Sequence, residues 1–163
     1  MRHIVSVLVE NKFGVLARIA TLFAARGFNI NSLSVNETND PTISQMTIVV
    51  KGDASILEQV TKQLNKLVDV IKVINFKDKG YIERELVLIK INTPRSLREE
   101  IIKLVGLFNA RIIDMSLDYI TIEITAEEDK INTFIKMMLP YGIKDICSTG
   151  IIALNKEHAN KTK

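Results

Sequence analysis

The sequence predicts an α+β chain made of two tandem βαββαβ units, and three observations carry that expectation. Hydrophobic spacing over residues 3–76 switches between strand and helix periods in the order β-α-β-β-α-β. The same order returns over residues 82–154, after the polar punctuation Lys77-Asp78-Lys79-Gly80. Size agrees, since 163 residues hold one ordinary domain or two very small ones. Leu22-Phe23 closes one leading helix and Leu107-Phe108 the other, an echo between the halves. The expected boundaries are 1–77, a linker at 78–80, 81–155, and a polar tail at 156–163.

Residues 3–9 are apolar at nearly every position, as in a strand buried on both faces. Asn11-Lys12-Phe13-Gly14 interrupts the run, and Leu16, Ile19, Leu22 and Phe23 then recur at helical spacing up to a terminating Gly27. Residues 30–37 form a more polar strand, suited to a sheet edge. Thr38-Asn39-Asp40-Pro41 is a turn by composition. Met46, Ile48 and Val50 alternate with Gln45, Thr47 and Val49 in a third strand. Gly52-Asp53 opens a helix carrying Ile56, Leu57, Val60 and Leu64, and residues 68–76 close the unit as a strand.

In the second half, residues 82–91 read as a strand and 94–108 as a helix with Leu97, Ile101, Leu104 and Val105 inward. Residues 111–115 and 119–125 are a strand pair around Ser116-Leu117-Asp118. Ile131, Phe134, Ile135 and Met138 mark the last helix, ended by Pro140 and Gly142, and residues 143–154 read as one closing strand. Each unit is then a ferredoxin-like sandwich, an antiparallel sheet with helices on one face. Neither is large enough to be comfortably stable alone, and each leaves a polar sheet face and an edge strand. A homodimer is expected to cover them.

Composition excludes several classes of function. At 47% hydrophobic and 25% charged, with seven Gly and three Pro, the chain is globular and neither disordered nor collagen-like. No apolar run reaches the roughly 18 residues of a membrane span. Met1-Arg2-His3-Ile4-Val5 enters a strand with no signal peptide ahead of it, so the expected location is cytoplasmic. The single cysteine, Cys147, excludes an internal disulfide and a cysteine-rich metal site, and reads as a buried, inert thiol. The two histidines are His3 at a strand end and His158 in the polar tail. Metalloprotease, Walker, dinucleotide and nucleophile-elbow motifs are absent. No catalytic residue and no metal ligand is therefore assigned. The net charge of +3 comes from 22 basic and 19 acidic residues scattered without a basic block or aromatic platform, which gives no case for nucleic acid.

The chemistry concentrates at Asn11-Lys12-Phe13-Gly14-Val15-Leu16-Ala17-Arg18-Ile19, between a central strand and a helix. A glycine there removes the Cβ that would crowd a ligand, and the N–H groups of the helix start attract a carboxylate. Asn11 supplies a donor and an acceptor just upstream. The same residues also suit a plain turn in which Gly14 relieves strain and Asn11 caps the helix. Asn29, after Gly27-Phe28, is a second polar point that equally suits a turn. A carboxylate-receiving helix start with an amide nearby fits a small zwitterion better than a polymer or a phosphate.

Asn11-x-x-Gly14-x-Leu16-x-Arg18-Ile19, followed by Arg26-Gly27-Phe28-Asn29-Ile30, resembles the ACT domain of the small, regulatory subunit of acetolactate synthase. Met46-Thr47-Ile48, Leu57-Glu58-Gln59, Lys66-Leu67-Val68-Asp69-Val70, Glu83-Arg84-Glu85-Leu86 and Thr149-Gly150 are similar to later segments of that family. The resemblance spans roughly residues 1–155 and implies an N-terminal ACT domain followed by an ACT-like one. It implies a non-catalytic chain without cofactors. Such a chain binds and activates a large catalytic subunit and confers feedback inhibition by valine. That partner is expected to use thiamine diphosphate, Mg and FAD. It would condense pyruvate with a second 2-oxoacid, the first common step of branched-chain amino acid biosynthesis. The family's effector site lies at an ACT dimer interface. Carried over by position, Asn11 and Gly14 of one chain face Asn29 of the other, with backbone help from Val15, Leu16 and Ile30. Gln45 and Ser148 stand where relatives often place arginine, and each departure removes a fork-shaped cation that pairs with carboxylates.

Two other readings fit the sequence less well. A free-standing tandem-ACT sensor of transcription or signalling calls for the loop in both halves. The second half offers Thr93-Pro94-Arg95-Ser96-Leu97 instead. An acylphosphatase calls for an arginine held in the glycine-rich loop, and Arg18 lies a helical turn too late.

Overall fold

The first unit runs through β1 (Arg2–Glu10), α1 (Val15–Ala25), β2 (Ile30–Glu37), β3 (Ile43–Lys51), α2 (Ala54–Leu64) and β4 (Val70–Phe76). The chain then continues through β5 (Tyr81–Asn92), α3 (Arg98–Leu107), β6 (Arg111–Met115), β7 (Tyr119–Ala126), α4 (Glu128–Met138), β8 (Ile143–Ser148) and β9 (Ile152–Asn155). These elements belong to a computed structural model that describes residues 1–76 and 80–156. They form two compact units, Met1–Ile82 with the segment from Ile151 onward, and Glu83–Gly150.

Both four-stranded paths have the same topology, β2-β3-β1-β4 in the first unit and β6-β7-β5-β8 in the second. Every pairing along the first path is antiparallel. The polar β2 is an edge strand, as its composition predicts. β1 lies inside the sheet, with Ile4, Val5, Ser6 and Val7 buried in succession. Consecutive burial along a strand means that both faces are covered. On one face Val5, Val7, Val9, Met46 and Ile48 pack against Ile19, Phe23, Val60 and Leu64 of the two helices. Each such fully buried side chain contributes about 1.5–3 kcal/mol. On the other face Gln45 donates to Ser6 Oγ at 3.0 Å.

Beside that pair, Ile4 and Val49 pack against Ile151 and Ala153, with Phe76 and Tyr81 alongside. The cover comes from the last segment of the chain. β9 pairs with β5, the Ile151 N–H donates to Ser32 Oγ at 3.1 Å, and Lys156 N–H to Gly80 O at 3.0 Å. The single closing strand expected over 143–154 is therefore two strands. Thr149-Gly150 breaks it, because Gly150 sits at φ +73, a left-handed conformation that ends an extended run. Ser148 stabilises the break by accepting the Gly150 N–H at 3.3 Å. The compact units thus depart from the expected 1–77 and 81–155 partition at residues 81–82 and from Ile151 onward. The expected linker at 78–80 and tail at 156–163 fall outside the described residues, except for Gly80 and Lys156.

In the second unit, Val87, Ile89, Ile91, Ile120, Ile122 and Ile124 meet Ile101, Val105, Ile131, Phe134 and Met138. The expected helix over 94–108 begins instead with a 3₁₀ turn, Arg95–Leu97, after an extended Pro94. Cys147 is exposed, against the expectation of burial. β8 is an edge strand, and Cys147 pairs with Leu88 on the face away from the helices. Among the described residues no helix is long and apolar enough to cross a membrane.

Candidate functional site

The four α-helices differ in how they begin. α2 is capped by Asp53, whose carboxylate accepts the Ile56 N–H at 3.0 Å and the Ser55 hydroxyl at 2.6 Å. Those bonds, the Ser55 hydroxyl first, hold its carboxyl below the ordinary range. α3 carries Glu99 and Glu100 in its first turn, and α4 carries Glu128 and Asp129. α1 has neither an acidic residue in its first turn nor a side-chain cap. Its first intrahelical bond runs from Arg18 N to Gly14 O at 2.9 Å. The N–H groups of Leu16 and Ala17 therefore emerge at the positive end of the helix with no helical carbonyl to meet. Such an end receives anions.

Gly14 makes the entry possible. It occupies the N-cap position at φ +82 and ψ −5, a left-handed conformation in which a Cβ is strained. Asn11 does not cap the helix, so the plain-turn reading fails for that residue. Its backbone N–H donates to Thr42 O at 2.7 Å. Its side-chain Nδ2 donates to Glu37 Oε1 at 3.0 Å and to Pro41 O at 2.9 Å. Asn11 thus ties the loop to the β2–β3 hairpin. The hairpin is itself ordered by Asp40 Oδ1, which accepts the Thr42 hydroxyl at 2.6 Å and the Thr42 N–H at 2.9 Å. These two bonds, the hydroxyl first, lower the Asp40 carboxyl from its ordinary value.

Between loop and hairpin lies a cleft of about 260 Å³. Val9, Val15, Leu16, Val35 and Met46 supply its apolar lining, and Glu10, Asn11, Lys12, Asn36, Glu37 and Ser44 its polar one. It falls just below the size of drug-like pockets, roughly 300–1,000 Å³, and suits a single small metabolite. Lys12 Nζ is 2.7 Å from Glu10 Oε2, and that carboxylate raises the lysine pKa. Arg18 Nε is 2.8 Å from Asp69 Oδ2.

Of the residues predicted for the site, Asn11, Gly14, Val15 and Leu16 come together here. Val15 is only 3% exposed, so its side chain belongs to the core and its backbone faces the loop, whereas Leu16 is 42% exposed. Asn29 and Ile30 are elsewhere. Ile30 pairs with Val50, which pairs with His3 at the start of β1. Glu37 pairs with Ser44, which pairs with Val9 near its end. Seven strand residues separate the two positions, about 23 Å at ~3.3 Å per residue. The amide expected near the helix start is therefore not near it within one chain. Asn29 is exposed, and its side chain has no hydrogen bond among the described residues. Sequence reasoning missed Glu37 and the Pro41 carbonyl. Their only signal was an acidic residue at the end of a polar strand, 26 residues from Asn11. Among the described residues no group of three or more His, Cys, Asp or Glu is placed to hold a metal.

Two units of one topology, the first with an uncapped helix start over a small cleft, define a tandem protein of the ACT class. Residues 5–72 match the model described as the AHAS small subunit-like ACT domain, and residues 84–157 the model described as the small subunit of acetolactate synthase. The acetolactate synthase small subunit of Aquifex aeolicus is 48% identical, over 98% of this chain and 84% of that one. The probable acetolactate synthase small subunit of Archaeoglobus fulgidus is 51% identical, over 94% and 96%. The crystal structure of the acetolactate synthase small subunit from Thermotoga maritima superposes with a TM-score of 0.88 at 41% identity, covering 97% of this chain and 99% of that one. The chain belongs to the acetolactate synthase small-subunit family.

Proposed function

We propose that this chain is the regulatory subunit of a cytoplasmic acetolactate synthase. In this reading it binds and activates the catalytic subunit and makes it subject to feedback inhibition by valine in branched-chain amino acid biosynthesis. Thiamine diphosphate, Mg and FAD belong to the catalytic partner, and this chain performs no catalysis. The observation that carries the reading is the α1 start, a helix N-terminus with no anion of its own opening on a small cleft of mixed apolar and polar lining. The valine carboxylate goes to the Leu16 and Ala17 N–H groups, and its isopropyl group goes against Leu16 and Val35, the exposed apolar residues of the cleft.

The position of Asn29 supports a dimeric site. Among the described residues β2 is an edge strand, with one side of its backbone facing no other strand. Antiparallel pairing of β2 with its copy about a two-fold axis sets the start of one strand beside the end of the other. Asn29 and Ile30 of one chain then meet the Asn11–Gly14 loop of its partner, with two sites per dimer. The test is an acetolactate assay with the chain alone, with the catalytic subunit, and with valine added. The chain alone is expected to form no acetolactate, to raise the turnover of the catalytic subunit, and to lose that stimulation with valine by several-fold to about a hundredfold. Acetolactate made by the purified chain, or a stimulated complex that ignores valine, leucine and isoleucine, overturns the reading.

A further inference from the structure

We infer that the β6 edge of the second unit is an interface with a second copy of this chain, formed by antiparallel pairing of β6 with its copy in the register that sets Arg111 of each chain opposite the partner's Asp114. The inference involves no effector, so its failure leaves the reading above untouched.

Among the described residues β6 holds the place in the second sheet that β2 holds in the first, an outer strand paired on one side only, here with β7. An outer strand is a template for another chain, and natural proteins keep such edges apart with lysine or proline. β6 has neither. Its edge is apolar instead. Ile113 and Met115 are exposed, and so are Leu117 in the turn that follows and Leu107 at the end of the preceding helix. Exposed apolar residues gathered on one edge mark an interaction surface.

The occupant follows from where the charges lie. In a regular strand, residues three apart point to opposite faces. β6 is not regular, because Ile112 stands opposite Ile122 and Asp114 opposite Thr121, which leaves Ile113 as an extra residue, a β-bulge. Arg111 stands opposite Glu123. Glu123 and Thr121 alternate with the buried Ile122 and Ile120, so Arg111 and Asp114 share the face away from the helices. Neither has an ion pair among the described residues. A cation and an anion placed this way on an edge strand complement their own copies. A two-fold axis perpendicular to the sheet, passing between Ile112 and Ile113, sets Arg111 of each chain opposite the partner's Asp114. The same register sets Ile112 opposite the partner's Ile113, and Met115 opposite the partner's Ala110. A slip of one residue unpairs both charges, so the charges fix the register.

The experiment is disulfide trapping in the full-length chain, with Cys147→Ser throughout and melting curves for every variant. Residues directly opposed in an antiparallel pair lie about 4.5–5.5 Å apart at Cα, within reach of a disulfide. The double variant Arg111→Cys/Asp114→Cys should therefore form a chain-to-chain disulfide under mild oxidation, read on a non-reducing gel. Each single variant should lose it, because the two copies of one position then stand roughly 10 Å apart. A folded double variant that does not cross-link, or single variants that cross-link as well as the double, overturns the inference. A second measurement keeps the charges. Arg111→Asp and Asp114→Arg each set like charges against their own copies, whereas a mixture of the two restores an opposite pair at both ends. After subunit exchange, tagged Arg111→Asp should retain Asp114→Arg about tenfold over untagged copies of itself. Equal retention overturns the inference.

Discussion

Each unit has a loop leading from a central strand into its first helix, and the two loops share an anchor but end differently. In the first, the Asn11 N–H donates to Thr42 O at 2.7 Å. In the second, the Thr93 N–H donates to Asp118 O at 3.0 Å. The same backbone bond pins both loops to the neighbouring hairpin. Beyond it, the first loop holds its hairpin with the Asn11 amide and enters α1 at once through Gly14. The second inserts Pro94 and a 3₁₀ turn, and Arg98 reaches the hairpin from the helix side. Its Nη2 donates to Ser116 O at 2.7 Å and to Leu117 O at 2.9 Å. Glu99 and Glu100 then meet the positive end of α3 from within. Shared topology does not make a binding site. What separates the two loops is the helix end, left without an anion of its own in α1 and supplied with two in α3.

Gly14→Asp gives the first loop what the second already has, a built-in anion, and carries the largest expected effect: loss of valine binding by calorimetry. The substitution does not leave stability untouched. At φ +82 a non-glycine residue costs about 1–2 kcal/mol, although its Cβ would meet nothing closer than Arg18 Nη1 at 3.8 Å. Gly14→Asn is the control, since asparagine tolerates the left-handed region and brings no charge. It should melt about as low as the aspartate variant and keep measurable valine binding. Equal loss of binding in both variants would show that backbone or bulk, and not charge, separates the two loops.

The next effect is a half-recovery. Homodimers of Gly14→Asp and of Asn29→His should each fail to bind valine, because every shared site carries one defect. After subunit exchange, a mixed dimer has one doubly altered site and one native site. Calorimetry on mixed dimers, confirmed by mass spectrometry of tagged chains, should recover about half of the sites. No recovery would mean that Asn29 plays no part in the site of the opposite chain.

Arg98→Ala sharpens the comparison from the other side. It leaves Ser116 O and Leu117 O without their donor and should lower stability by about 1–3 kcal/mol, read as a shift of the urea midpoint. Valine should still bind at one site per chain. A second equivalent of valine in this variant would mean that the second loop is a site obstructed only by its arginine. The smallest effect is on the hairpin itself. The folded-state pKa of Asp40 lies below its ordinary 3.8, so its support is fully present above that value and fades as pH falls through the folded pKa. Amide exchange at Thr42 should accelerate there, and Asp40→Asn should remove the pH step while raising the basal exchange rate.

Most of the fold was legible because each unit buries one face with a clean period. β1 reads as doubly covered from residues 3–9 alone. The break at Thr149-Gly150 was not legible. Ile143, Ile151 and Ala153 are apolar for different reasons, the first packed against the core of the second unit and the others against Ile4 and Val49. A linear pattern records that a residue is buried and not what buries it. The site divides in the same way. Asn11 and Gly14 stand out because their chemistry is local to one turn. Glu37 joins them only through the register of β2 on β3 and of β3 on β1, which no spacing along the chain reveals. The absence of acid in the first turn of α1 was readable, but it acquires meaning only beside the other three helices.

The return of residues 151–156 to the first unit has a consequence for how the protein is made. Domains synthesised on the ribosome generally fold in turn, the N-terminal one first. Here the first unit cannot do so completely. The partners of Ile4 and Val49 are Ile151 and Ala153, which are translated only after the whole of Glu83–Gly150. A nascent chain stalled at the end of the second unit therefore carries a first sheet with an uncovered patch, and a fragment cut at residue 80 carries the same patch permanently. Translation to residue 156 is the step that closes the unit holding the cleft.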